Sequence, residues 1–104
     1  MIARVWRSRV RAGDAAAYRD YIKRTWLLDF SAAQGNQGTF FLHRVEGDVA
    51  DVITLSFWDS FESLKALLGD KADLAGYYPE DQHFLLDLPE RVEHFELDSA
   101  PGPQ

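Results

Sequence analysis

An α+β fold built on a single antiparallel sheet is what this 104-residue sequence predicts. Three observations carry the expectation. Thr39 to Trp58 reads as two β-rich runs joined by Gly47-Asp48, a strong hairpin signal because such a turn follows the strands' own twist. Runs of period two lie near both ends of the chain, at Ile2 to Val10 and Arg91 to Leu97. Between strands, apolar residues recur at helical spacing, first from Ala15 and again from Phe61.

In chain order, Ile2 to Val10 is the first strand. It places Ile2, Arg4, Trp6 and Ser8 on one face, and Ala3, Val5, Arg7 and Arg9 on the other. Gly13-Asp14 starts a helix, with Asp14 as the expected N-cap. The helix runs to about Ala33, with Tyr18, Ile22, Trp26 and Phe30 on one stripe, and Gln34 to Gly38 is the loop that ends it. In the hairpin, closure at Glu46 and Val49 sets Phe40 opposite Leu55, Leu42 opposite Ile53 and Arg44 opposite Asp51. The same register sets Phe41 opposite Thr54, His43 opposite Val52 and Thr39 opposite Ser56. Asp59 or Ser60 then caps a second helix whose stripe is Phe61, Leu64, Leu67 and Leu68, closed by Gly69. A short helical piece from Asp70 to about Gly76 follows, then another from Pro79 through Leu86, since proline suits a first helical turn. Arg91 to Leu97 is the last strand. The first 98 residues form one domain, and 99–104 read as a flexible tail.

The order β-α-β-β-α-β is the ferredoxin-like split βαβ arrangement, with helices on one side of the sheet. The hairpin sorts its side chains into two sets. Phe40, Leu42, Ile53, Leu55 and Phe57 are uniformly apolar, and this set is expected to pack on the helices. Phe41, His43, Val52, Thr54, Ser56 and Trp58 mix apolar groups with hydroxyls and an imidazole, as a cavity lining does. Arg4 and Trp6 join this mixed face. Left in water it would exceed the apolar patch a monomer tolerates, so a symmetric homodimer with the mixed faces inside is expected.

Composition removes whole classes of function. A net charge of -6 argues against a phosphate-binding surface, so no nucleic-acid partner is expected. There is no cysteine, which excludes disulfides, thiolate metal sites and a cysteine nucleophile. No apolar run approaches the roughly 20 residues that span a bilayer, and the N-terminus lacks a signal-peptide core. No membrane partner and a cytoplasmic location are the expectations.

The ordered set Ile2-Ala3-Arg4-Val5-Trp6-Arg7, Gly35-Asn36-Gln37-Gly38, Leu55-Ser56-Phe57-Trp58-Asp59-Ser60, Tyr77-Tyr78-Pro79-Glu80-Asp81 and Val92-Glu93-His94-Phe95 resembles the antibiotic biosynthesis monooxygenase family, over nearly the whole chain. The resemblance implies a dimeric α/β barrel. Some members of that family oxidise aromatic polyketides to quinones with dioxygen and no cofactor, others bind and degrade haem, and many have no assigned substrate. The haem-degrading pattern uses an Asn on the first strand, a Trp on the second helix and a His ten residues later. Trp6, Leu67 and Tyr77 stand at those positions here, and all three depart from it.

The expected function is therefore a cofactor-independent monooxygenase acting on an aromatic or quinol-like molecule in a pocket between sheet and helices. It needs no metal. Such chemistry requires aromatic walls, a proton acceptor and a donor for the phenolate oxygen. His43 and His94 are candidate proton acceptors, because histidine titrates near neutrality. Arg4, Tyr77 and Tyr78 are candidate donors or anion stabilisers. Trp6, Phe41, Val52, Thr54, Ser56, Trp58 and Tyr78 are candidate substrate-binding residues. The bland alternatives are core or dimer packing for the tryptophans, a cross-strand role for His43 and a solvated surface role for His83. The alternative functions are a non-catalytic dimer that binds a small hydrophobic molecule, and a haem-binding relative with His83 or His94 as substitute ligand.

Overall fold

The computed structural model describes residues 1–69, 72 and 80–98. Four strands form one antiparallel sheet: β1 (Ile2–Arg11), β2 (Asn36–Glu46), β3 (Val49–Trp58) and β4 (Glu93–Glu96), in the order β2-β3-β1-β4. The helices are α1 (Ala15–Arg24), α2 (Trp26–Ser31), α3 (Phe61–Leu68) and the single turn α4 (Asp81–Phe84). This is the α+β, ferredoxin-like architecture. The expected tail at 99–104, the helical piece at 70–76, Tyr77, Tyr78 and the Pro79 helix start lie outside the described residues.

The hairpin has the register its alternation dictates. Phe40 faces Leu55, Leu42 faces Ile53, His43 faces Val52 and Glu46 faces Val49. Gly47 adopts φ +62° at the first central position of the turn, a conformation that favours glycine over residues with a Cβ. β1 pairs with β3 along its whole length, Ile2 opposite Trp58 through Arg11 opposite Val49. The far edge of β1 is covered twice. β4 pairs with Ile2 to Val5, and Leu85-Leu86 bridges to Val10 and donates a backbone bond to Arg9.

The long first helix is broken. Thr25 leaves helical geometry at φ -121°, ψ -94°, and its hydroxyl donates to the Tyr21 carbonyl at 2.9 Å. A threonine hydroxyl bonded four residues back competes with the helical ladder, and the chain turns there. Asp14 occupies the expected N-cap position of α1, but its side chain does not cap the helix. It sits in a tight turn with Arg11 at 3.6 Å. α3 is capped by Ser60, whose Oγ accepts from the Ser63 amide, and it ends at Gly69 at φ +62°.

The main correction concerns the faces of the sheet. The described helices lie on the mixed face, and none of them covers the uniformly apolar face. Tyr18, Tyr21 and Ile22 of α1 pack with Trp6, Val10, Ala50 and Val52 in one cluster, with Leu85 beside them. Phe30 of α2, Trp58, Leu64 of α3 and Ala72 form a second cluster. Ring contacts tie helix to sheet: Tyr18 on Phe41 at 5.8 Å, and Phe30 edge-on to Trp58 at 5.7 Å. On the other side Phe40, Leu42, Phe95 and Leu97 are exposed, and Ile53, Leu55 and Phe57 only half-buried. Ala3 and Val5 share this bare face instead of the helix-packed one. Leu67, placed on the buried stripe of α3 by its spacing, is also exposed.

Candidate functional site

Period two separates two sets of side chains but does not say which set receives the helices. Once α1 and α2 cover the mixed face, the polar groups of that face become buried. Ser56 and Thr54 are buried, and the Ser56 hydroxyl accepts the Trp58 indole N–H at 2.9 Å. Burial of a hydroxyl is tolerated because the indole supplies its partner. Arg4 is 5% exposed. Every other basic residue among the described ones is exposed, so Arg4 is the single buried cation there.

Arg4, Trp6, Trp26, Phe30 and Thr54 line a partly enclosed hollow between the sheet and α2, with a cavity volume of about 20 Å³. That holds about one water. A larger ligand therefore requires a wall to move, and half-buried Trp26 is the least enclosed of the five. The Arg4 guanidinium lies over the Phe30 ring at 5.4 Å, within cation–π range. Burial lowers its pKa to about 10, so it stays charged at neutral pH. Across the strand pair, His94 is the direct partner of Arg4, and its imidazole packs edge-on against Phe61 of α3 at 5.3 Å. Behind the outer wall, the Trp26 indole donates to the Asp81 carboxylate at 3.3 Å, and Asp81 is buried.

The sequence-derived site residues divide into groups. Arg4, Trp6 and Thr54 line the hollow, and His94 adjoins it on the next strand. Ser56 and Trp58 lie behind it, with Trp58 fully buried against Phe30. Val52 and Phe41 belong to the α1 cluster and do not line the hollow. His43 is exposed and stacks on Phe41 at 5.8 Å. It is no lining residue, because β2 is the edge strand and runs on past the helical cover. Tyr77 and Tyr78 lie outside the described residues. Trp26 and Phe30 were legible only as a core stripe. Asp81 stood in a helix expected to be exposed, and the signal for it was an indole N–H that requires an acceptor.

A second groove, lined by Arg7, Ser8, Arg9 and Asp51 of the strands and by Leu86 to Pro89, is wide open to solvent. Its charges are already matched: Arg9 donates to Asp87 at 2.6 Å, and this bond holds the Asp87 carboxyl below its ordinary range. The enclosed hollow is the better candidate. It offers ring walls for a planar molecule, a buried cation for a developing oxyanion, and an imidazole on the adjoining strand.

No family model matches the chain, and no curated protein matches it by sequence. Solved structures do match in fold. The haem degrader MhuD of Mycobacterium tuberculosis, solved with two haems in its active site, superposes with a TM-score of 0.66 at 15% identity, over 98% of this chain and 100% of that one. A protein of unknown function from Nitrosomonas europaea, NE2512, superposes at 0.60 and 18% identity, over 99% and 94%. At these identities the likeness establishes the ferredoxin-like fold.

The described residues do not fit a haem. None of the five lining side chains is a usual axial ligand. His43 and His83 are exposed, and His94 packs on Phe61. Among the described residues no His, Cys, Asp and Glu cluster suits a metal ion, and no helix is long and apolar enough to cross a membrane.

Proposed function

We propose that the chain is a cofactor-independent monooxygenase that oxidises an aromatic or quinol-like molecule in the hollow between sheet and α2. The observation that carries this reading is Arg4, the single buried basic side chain among the described residues, set among Trp6, Trp26 and Phe30. A buried charge is costly and tends to be kept where it acts on a ligand. In the proposed reaction an anthrone or hydroquinone gives a proton to His94 and places its oxyanion at Arg4. The electron-rich carbanion then reduces dioxygen by one electron. Recombination forms a C–O bond, and loss of water leaves the quinone, so one oxygen atom enters the product and the other leaves as water. Ring walls orient the substrate, and the site keeps bulk water away.

The assembly proposed for this activity is a homodimer, formed through the opposite face from the one the mixed lining suggested. The bare face carries Phe40, Leu42, Ile53, Leu55, Phe57 and Phe95, an apolar middle that a second copy would cover. Its rim charges are already paired, Arg7 with Glu93 at 2.9 Å and Arg44 with Asp51 at 3.0 Å, which suits a neutral, self-complementary contact.

Oxygen uptake with a panel of anthrones and hydroquinones tests the reaction. Uptake that falls by roughly 10²-fold or more in His94→Ala is expected, the usual weight of a positioned proton acceptor. No uptake with any member leaves a ligand-binding protein instead. The fold shared with MhuD favours a second reading, haem binding. Titration with haemin tests it: a Soret shift that saturates at a fixed ratio supports haem, and an unshifted band removes it.

A further inference from the structure

We infer that Asp81 is a positioning residue for the hollow: it latches the Trp26 indole as a gate, and release of that latch sets the rate at which an aromatic molecule enters. This rests on the reading of the hollow as the substrate site and adds the device that controls access to it.

The hollow is closed as it stands. Its cavity of about 20 Å³ holds about one water, so an aromatic ring enters only after a wall moves. Of the five described lining residues, Arg4, Trp6, Phe30 and Thr54 are buried and Trp26 is half-buried. Trp26 is the wall that meets solvent.

The path of the chain makes that wall movable. Thr25 leaves helical geometry, so Trp26 begins α2 instead of continuing α1. α2 has six residues, and its fixed point is Phe30, buried edge-on to Trp58. Trp26 stands one helical turn from that point and meets the Phe30 ring edge-on at 5.7 Å.

Asp81 is the stationary end of the bond. Its carboxylate accepts the Trp26 indole N–H at 3.3 Å, and the residue is 1% exposed. Asp81 begins α4, and the residues that follow are fastened to β1. Leu85 bridges to Val10, the Leu86 amide donates to the Arg9 carbonyl at 2.8 Å, and the Ser8 hydroxyl donates to the Asp87 carbonyl at 2.7 Å. Phe84 stacks on Tyr21 at 5.5 Å. A swing of the indole therefore breaks the bond at the Trp26 end while the carboxylate stays in place. The lost bond keeps the open form in the minority, and a ligand that needs the open form binds more slowly and more weakly by the fraction open.

The test is stopped-flow association of 2-naphthol and 9-phenanthrol, planar molecules of two and three rings, with the full-length protein in oxygen-free buffer, followed by ligand fluorescence. Asp81→Ala should raise the association rate constant by roughly tenfold and tighten binding, because the latch is gone. Asp81→Asn keeps an oxygen acceptor and should stay within about threefold of the wild type. Trp26→Phe has no N–H to donate, so Asp81→Ala in that background should change the rate by less than about twofold. Asp81→Leu, which fills the buried volume without an acceptor, takes the place of Asp81→Ala if the alanine variant does not fold. An Asp81 that only supports the structure predicts the opposite sign, weaker binding with no faster entry, and that result overturns the inference. An acceleration of equal size in the Trp26→Phe background also overturns it, as does binding of neither ligand. The oxidation reading is scored separately. Latch-dependent entry without oxygen uptake would sink the oxidation alone, and oxygen uptake with an association rate unchanged in Asp81→Ala would sink the latch alone.

Discussion

At the scale of single residues, burial decides which side chains matter. Leu64 is fully buried between α3 and the sheet, and Leu64→Ala should lower unfolding free energy by about 2–5 kcal/mol, measured by urea denaturation. Leu67, three positions on, is 41% exposed, and its replacement by alanine should cost about 0.5 kcal/mol or less. The buried Asp81 carboxylate accepts the indole N–H of half-buried Trp26. Asp81→Ala leaves the indole N–H without that acceptor and should cost about 1–3 kcal/mol, with a red shift in tryptophan emission as the wall loosens. Arg4 was legible as a mixed-face cation from alternation alone. That Trp26 and Phe30 close the hollow around it was not legible. Helical spacing marks both as buried, and a buried aromatic looks the same in a core as in a pocket wall.

At the scale of elements, the hairpin was the most readable part and the helix junctions the least. The Gly47-Asp48 turn fixes its own register, so every pair from Thr39 opposite Ser56 to Glu46 opposite Val49 follows from sequence. The break at Thr25 does not, because one hydroxyl bond outweighs an uninterrupted apolar stripe. The α2–β2 connection depends on Gly35. Its φ is +89°, and a Cβ there would strike the Ser63 side chain and come within 2.8 Å of the Asp59 carboxylate. Gly35→Ala combines strain and collision and should cost about 1–3 kcal/mol, read as a lower denaturation midpoint. In the same junction the Ser63 hydroxyl donates to Asp59 at 2.5 Å, and this bond holds the Asp59 carboxyl below its ordinary range. A carboxyl depressed in the folded state stabilises above its unfolded pKa and loses that contribution as pH falls through the folded value. Ser63→Ala should therefore flatten the acid limb of a stability–pH profile while leaving the alkaline limb unchanged. An unaltered acid limb would contradict the assignment.

At the scale of the whole molecule, one sheet has two apolar faces and one layer of helices. Sequence alternation finds both faces, but the choice between them depends on tertiary packing. The face with hydroxyls, Arg4 and tryptophan goes inside, where Ser56 and Trp58 satisfy each other. The face with no polar centre carries none of the described helices. Leu55→Asp, at the middle of the bare face, should convert a dimer to a monomer in sedimentation velocity with near-native circular dichroism, because a charge at the centre of an apolar interface is poorly tolerated. A wild-type protein that sediments as a monomer at micromolar concentration would remove the dimer. The most direct test is a crystal structure grown anaerobically with an anthrone that the protein oxidises. The ring is expected between Trp6, Trp26 and Phe30, with its oxygen toward Arg4 and the Trp26 indole displaced outward. A ligand seated instead on Phe40, Leu55 and Phe57, between two copies of the sheet, would contradict it.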